Sequence, residues 1–320
     1  MIKTNFKKEV ILITLQLLKP FRNLLRPVKF FFIKKEKQRI EQQNLILSML
    51  EYFHYEISDL RSKTRHLLAN DKISLPSIHQ TYESFNYQWN KLNYGTNLIS
   101  DEVFKTNVTQ QIIDYTGLTK EWFSQKKVLD AGCGQGRFSY GFSLLKVSLT
   151  AVDQSNYAVE HTQRILKELS FDAIIKQVDL LEPDTIQNSF DLVWSYGVLH
   201  HTGNTYQAFK NIAKLVKPEG YLFIMLYGEP QLNHIGSFQE QAEYSRLRHK
   251  TRNMTYKQKV ALLSKEKSKE SLHGWFDAIS PTINDTYSLE EIKVWLLSSG
   301  FENIKVTSAS TNHHLIAQKV

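Results

Sequence analysis

Between Val128 and Phe138 the chain reads Val-Leu-Asp-Ala-Gly-Cys-Gly-Gln-Gly-Arg-Phe, with glycine at 132, 134 and 136. This stretch limits the fold more tightly than any other. Its apolar opening is a strand, the glycines make a turn, and the residues after them open a helix. Gly132, Gly134 and Gly136 let the backbone bend sharply and approach a ligand without a Cβ in the way. The helix that follows offers unpaired N–H groups to that ligand. In open α/β sheets such ligands lie at the carboxyl ends of the strands, near the point where the strand order reverses. A dinucleotide turn, G-x-G-x-x-G/A, needs a third small residue at 137. That residue is Arg137, and the third glycine comes one position early.

The surrounding text alternates. Strands are expected at Lys127–Ala131, Ser148–Val152, Ile174–Val178, Asp191–Ser195 and Tyr221–Leu226, with helices between them, clearest at Tyr157–Leu169 and Thr205–Val216. Alternation of this kind predicts a parallel sheet with helices on both faces. Residues 229–285 interrupt it; they are rich in Gln, Lys, His and Tyr and include the charged stretch Lys265–Glu270. An excursion of that length is expected to carry its own helices and to serve as a lid. A helix at Ser288–Ser299, a stop at Gly300 and strands at Asn303–Thr307 and His314–Lys319 then close the fold. The expectation is a doubly wound, mostly parallel seven-stranded α/β sheet over residues 77–320, with a basic helical extension over 1–76 and a helical insertion after the fifth strand.

Charge is distributed unevenly. The chain carries a formal +8, yet residues 1–40 hold eleven Lys/Arg against two acids, so the remaining 280 residues sum to −1. The basic pI therefore describes an arm and not a substrate-binding body. Within the arm, Val10–Leu18 is too short to span a bilayer, which takes roughly 20 apolar residues, and no small-residue cleavage site follows it. Apolar clusters at Val10–Leu18 and Phe30–Ile33 among Lys and Arg suit an anionic membrane surface, or a helix docked on its own domain or a partner. Leu50, Phe53, Ile57, Leu60 and Leu67 give Ile40–Leu68 a helical stripe, and the polar Ala69–Ser77 with Pro76 reads as a linker. Aromatic residues mark helices over 78–124. A single cysteine, Cys133, allows no intrachain disulfide.

Opened by Asp130, the turn has the form D-x-G-x-G-x-G and resembles the first motif of class I S-adenosylmethionine-dependent methyltransferases. The likeness continues to Gly228. Val152-Asp153 ends the second strand, where the family places an acid on the ribose hydroxyls; a carboxylate can grip a vicinal diol with two hydrogen bonds. Val178-Asp179-Leu180 matches the adenine position. Ser189-Phe-Asp-Leu-Val-Trp-Ser-Tyr-Gly-Val-Leu-His-His201 matches the fourth-strand motif beside the methionine moiety. Leu215-Val-Lys-Pro-Glu-Gly-Tyr-Leu-Phe223 resembles the structural turn into the fifth strand, made by Pro218 and Gly220. The resemblance implies S-adenosyl-L-methionine as cofactor, held by Asp130, Gly132, Gly134, Gly136, Asp153, Asp179, Leu180 and Ser195. More loosely, Phe85-Asn-Tyr-Gln-Trp89, Gly274-Trp-Phe-Asp277 and Tyr287-Ser-Leu-Glu-Glu291 resemble a bacterial branch of mostly unassigned substrates, often near sugar, surface-polysaccharide or natural-product pathways.

A sulfonium donor brings its own leaving group, so such an enzyme chiefly aligns the acceptor and excludes water. A hydroxyl or amine acceptor must also lose a proton, which a histidine can take. His200 and His201, after the fourth strand, are the candidates; the other reading has them shaping the loop and Tyr196. Tyr196, His273 and Trp275 are candidate substrate contacts. His234, His273 and Asp277 are read as packing or surface residues that a folded lid could bring to the acceptor; Trp275, Phe276 and the Phe85–Trp89 segment either cover the cofactor or pack the lid and core, and His313 and His314 are structural. No metal site is expected, since C-x-x-C and H-x-x-x-H pairs are absent, and no G-x-S-x-G elbow is present. The implied function is methyl transfer to a small-molecule, sugar or lipid-linked acceptor, in the cytoplasm or at the inner membrane face, with a homodimer as one possible assembly. An RNA or protein methyltransferase and a non-catalytic scaffold are the alternatives. The neutral body offers no continuous basic face for nucleic acid, and Ser195-Tyr-Gly-Val replaces the Asn/Asp-Pro-Pro-Tyr of base and glutamine methylation.

Overall fold

A computed structural model describes residues 41–50, 52–53, 76–92, 102–186, 189–230, 235–268, 271–308 and 310–320. The basic arm, its proposed membrane contact, most of the 40–68 stripe and His234 lie outside those residues. Two compact units are present, one of Met1–Asp59 with Pro230–Arg246, the other of Leu60–Glu229 with Leu247–Val320. In the first, residues 41–50 are helical, and Leu45 and Met49, one turn apart, bury against Phe238. No described helix is long and apolar enough to cross a membrane.

The second unit holds one sheet. Its strands are β1 (Lys127–Ala131), β2 (Ser148–Asp153), β3 (Ile174–Gln177), β4 (Phe190–Tyr196), β5 (Val216–Leu226), β6 (Phe301–Val306) and β7 (His313–Lys319), in the order β3-β2-β1-β4-β5-β7-β6. All pairings are parallel except those of β7, which runs antiparallel between β5 and β6. The predicted seven-stranded, mostly parallel sheet is thus present. Because β1 pairs with both β2 and β4, the strand order reverses beside it, and its carboxyl end opens onto the crevice where such sheets bind ligands.

The helices are α1 (Pro76–Lys91), α2 (Glu102–Thr116), α3 (Lys120–Phe123), α4 (Arg137–Leu144), α5 (Asn156–Glu168), α6 (Thr205–Ala213), α7 (Ile235–Thr251), α8 (Tyr256–Glu266), α9 (Leu272–Ile279) and α10 (Leu289–Ser298). Alternate strand residues feed two separate cores. Leu129, Val193 and Ile224 pack with Phe209 and Ile212 of α6 and with Ile292 and Leu296 of α10. Val128, Leu192, Trp194 and Phe223 pack with Val108 and Ile112 of α2 and Phe142 of α4. A sheet buried on both faces needs apolar residues at both phases of its strands, which explains why β1 and β4 lack alternation. Each fully buried side chain of this size contributes about 1.5–3 kcal/mol; Trp194, stacked on Phe223 at 4.0 Å, is the largest.

Most predicted boundaries fall within two residues of the observed ones; β5 does not. It begins at Val216, where the sequence suggested the end of a helix, and α6 stops at Ala213. The pairings Phe190–Val216 and Leu192–Tyr221 leave Lys217–Gly220 looped out, with Glu219 left-handed at φ 61°. The excursion does carry helices, namely α7, α8 and α9.

Candidate active site

The glycine turn follows β1 directly. Gly132, Gly134 and Gly136 all lie in the left-handed region, at φ 93°, 51° and 83°, where a side chain costs roughly 1–2 kcal/mol. Space reinforces conformation: a Cβ on Gly132 would stand 2.3 Å from Val198, and one on Gly136 2.8 Å from Thr162 Oγ1. Gly136 caps α4 without a side chain, and its carbonyl accepts the Tyr140 N–H. The N–H groups of Gly132 and Cys133 both donate to Val152 O at 2.8 and 2.9 Å, so the turn is fastened to the end of β2.

The acid expected at that strand end is in place. Asp153 Oδ2 accepts the Gly134 N–H at 2.9 Å and Oδ1 the Ser155 N–H at 2.8 Å. Burial raises its carboxyl to about 6 against the pull of these N–H donors. Each oxygen keeps a further lone pair, the requirement for accepting both hydroxyls of a ribose. Asp179 lies two residues past β3, exposed, with Oδ1 accepting the Leu181 N–H; Val178 N donates to Asp153 O, which sets the two acids on neighbouring strand ends. Leu180 is buried, and its carbonyl accepts from Asn211 Nδ2. Asp130 faces inward, where Ser139 Oγ donates to it at 2.6 Å and burial raises its carboxyl to about 7. Ser195 Oγ donates to Ala131 O and ties β4 to β1. Asp130 and Ser195 thus brace the turn. These residues fit the family's cofactor: the turn leaves backbone where a Cβ would stand, and a carboxylate with spare acceptor capacity lies beside it.

A second group of residues comes from other elements. The indole of Trp89, at the end of α1, lies 3.1 Å from a Cβ built on Gly134, and the Trp89 carbonyl accepts from Gln135 Nε2. Asn86 accepts from Ser155 Oγ at 2.6 Å. The α1 helix therefore lies along the turn. Its polar side chains Thr81, Ser84 and Gln88, spaced three and four apart, are buried, and Thr81 and Gln88 meet Thr282 and His273 of the excursion. Gln88 Nε2 is 3.0 Å from a ring nitrogen of His273, whose ring packs 5.3 Å from Trp89.

His200 and His201 form a 3-10 turn just past β4 and are buried. His200 stacks on Tyr227 at 3.8 Å between ring centroids, and His201 meets the Phe85 edge at 4.9 Å. His201 Nδ1 donates to Ile283 O at 2.8 Å, which leaves Nε2 as the acceptor nitrogen. Desolvation lowers His201 and His273 to about 4 and His200 well below its usual value, so all three are neutral at pH 7. Tyr227 Oη donates to Asp277 Oδ2 at 3.4 Å, and burial raises the Asp277 carboxyl to about 7.

Of the candidate substrate contacts, His273 joins this group. Tyr196 lies in an aromatic layer with Phe138, Tyr115 and Trp194, and Trp275 carries the Lys267 ammonium over its ring at 3.6 Å. Asp277, expected as a packing or surface residue, is bonded to Tyr227, which stacks on His200, and no local pattern marks Tyr227 or Gln88 for this group. The available signal was the buried polar stripe Thr81, Ser84, Gln88 among the aromatics of α1.

A family model described as a methyltransferase domain matches residues 129–224. The mitochondrial ubiquinone biosynthesis O-methyltransferase of Schizosaccharomyces pombe is 33% identical over 107 residues, 32% of this chain and 38% of that protein. The ubiquinone biosynthesis O-methyltransferase of Alkalilimnicola ehrlichii is 26% identical over 111 residues, 34% of this chain and 45% of the relative. The match thus spans less than half the length of either relative. Among solved structures, magnesium protoporphyrin IX methyltransferase from Synechocystis PCC 6803 aligns at a TM-score of 0.47 and 15% identity, covering 78% of this chain and 100% of that one. The glycine turn at the end of β1 and the strands on either side of it thus lie in a segment, residues 129–224, that matches the methyltransferase domain family.

Proposed function

We propose that the chain is an S-adenosylmethionine-dependent methyltransferase acting on a hydroxyl of a small-molecule, sugar or lipid-linked acceptor, with residues 77–320 as its catalytic domain. The observation that carries this reading is the hydrogen bond from Gly134 N–H to Asp153 Oδ2, which joins the glycine turn to the one acid suited to a ribose. The backbone of Gly132–Gly136, with Asp153 and Asp179, would hold the cofactor. Asp130 and Ser195 keep the turn and β4 in register, and Trp89 covers the turn from α1. When bound, the cofactor supplies a methyl group on a positively charged sulfur. His201 Nε2, neutral and unprotonated, takes the acceptor's proton. The names of the two relatives, both O-methyltransferases, support an oxygen acceptor. The arm over residues 1–40 would keep the enzyme near a membrane-borne substrate.

Calorimetry with S-adenosylmethionine tests the cofactor assignment: micromolar binding is expected for the folded chain, and its absence removes the reading. A screen of cell extracts for tritiated methyl incorporation, split into lipid, polymer and soluble fractions, tests the acceptor class. Label confined to the polymer fraction would overturn the small-acceptor assignment.

A further inference from the structure

Protein interiors pair nearly all of their buried polar atoms, so each exception asks for a reason. Among the described residues such atoms crowd onto three segments. Ser84 Oγ and Gln88 Oε1 on α1, both ring nitrogens of His200 with Nε2 of His201, and Asp277 Oδ1 with Ser280 Oγ at the end of α9 are all buried without a hydrogen-bond partner. The segments are in contact: Gln88 with His273, Phe85 with His201, and Tyr227 with both His200 and Asp277. Leaving one such atom unpaired costs about 1–3 kcal/mol. Seven in one wall would consume a large share of a stability of roughly 5–15 kcal/mol. A wall of this kind is built for a partner.

The atoms define that partner. His201 Nε2 accepts a hydrogen bond because Nδ1 already donates to Ile283 O, and Gln88 Oε1 accepts as an amide oxygen whose Nε2 is engaged with His273. His200 offers one donor and one acceptor, whichever tautomer it holds. Asp277 is pushed up to about 7 and keeps its proton in about half of the molecules at neutrality, which adds a donor. The two guanidinium groups that act on the wall do so from a distance, and the buried Lys259 ammonium meets it at the Ser280 carbonyl, to which its Nζ donates at 3.4 Å. Arg248 influences His201 while its Nε donates to Ala278 O, and Arg137 influences His273 while donating to Gln111. An anionic ligand beside His201 and His200 would therefore lie in a desolvated wall without an ionic partner, a costly arrangement. The rings of Tyr227, Phe85 and Trp89 supply flat apolar faces.

We propose that this wall is the acceptor subsite and that it takes an uncharged ring bearing at least two hydroxyls, one hydrogen-bonded to His201 Nε2 and a second oxygen held by Asp277. The inference rests on the cofactor reading above.

The test uses the full chain saturated with S-adenosylhomocysteine. Catechol and methyl β-glucoside are the neutral probes and benzoate the charged one, with binding followed by calorimetry and by the imidazole nitrogen resonances of His201. At least one neutral probe should bind and move the Nε2 resonance, with benzoate about tenfold weaker or more. Catechol alone would assign an aromatic acceptor, and the glucoside alone a sugar. Asp277→Leu should weaken the neutral probe about tenfold, while Asp277→Asn, which keeps an uncharged donor, changes it less than about threefold. If the leucine variant does not fold, Gln88→Leu carries the same tenfold expectation. Bound S-adenosylhomocysteine with no probe binding, with equal binding of benzoate, or with a still Nε2 resonance would assign the atoms to ordered water and overturn the subsite alone. Failure of the folded wild-type chain to bind S-adenosylhomocysteine would instead overturn the cofactor reading, and the subsite with it.

Discussion

The two sides of the candidate site are built differently. On the cofactor side the chain acts through its backbone: the N–H groups of Gly132 and Cys133 are paired with β2, Gly134 with Asp153, and even the buried Asp130 has Ser139 as a partner. On the other side α1, the 3-10 turn and α9 meet through side chains, several of whose buried atoms have no partner. A satisfied backbone cradle is rigid before its ligand arrives, which preorganises binding. A wall with unpaired atoms is less stable without its ligand and gains when one binds, so it selects by chemistry. In the proposed reading the cofactor takes the first of these two sides and the acceptor the second.

The contrast can be broken most directly at the turn. Gly132→Val combines a left-handed backbone with a Cβ 2.3 Å from Val198, and strain plus overpacking should cost about 4 kcal/mol. Urea unfolding should record that loss, together with loss of S-adenosylhomocysteine binding; near-neutral behaviour would mean the turn is not rigid. Next in size, Asp153→Asn keeps an acceptor for the Gly134 N–H but loses the charge. Affinity for S-adenosylhomocysteine should fall about 100-fold, or roughly 3 kcal/mol, and the new NH2 group, set against the Ser155 N–H, should cost about 1–3 kcal/mol of stability.

Asp277 sharpens the comparison through pH. Its folded carboxyl titrates at about 7 against an ordinary 3.8, so between those values the folded chain holds a proton that the unfolded chain has released. The stability this group contributes is therefore present in acid and is lost as pH rises through 7. Asp277→Asn removes the titration, and the variant should gain about 2 kcal/mol relative to wild type between pH 5 and pH 8, read by denaturant unfolding at both. His201 and His273 act in the opposite sense. Lowered to about 4, they cost stability as pH falls from 6.5 toward 4. The smallest effect belongs to the satisfied side: Ser139→Ala removes one hydrogen bond to Asp130 and should cost about 1 kcal/mol in the same assay.

The cofactor side could be read from the sequence because its parts are local. Three left-handed glycines need only their own residue type, and Asp153 needs only to end a strand whose apolar run marks that end. The side proposed for the acceptor could not be read in this way. Asp277 read as a packing or surface residue, since nothing adjacent announces that Tyr227, fifty residues earlier, will lie against it. Trp275, more conspicuous as a type, lies under Lys267, and Tyr196 joins an aromatic layer. The start of β5 escapes local prediction because strand pairing, and not local propensity, draws Val216 onto Phe190.

The sequence by itself determined the strand–turn–helix at residues 128–138, the parallel sheet and the acids at its strand ends, since each follows from backbone preference or short-range periodicity. The tertiary structure alone decided which polar side chains share a wall. Burial and pairing there depend on segments far apart in the chain, such as Gln80 donating to the carbonyl of Ser280, 200 residues away. Desolvation, which sets the charge of His201 and Asp277, exists only once those segments have closed over them.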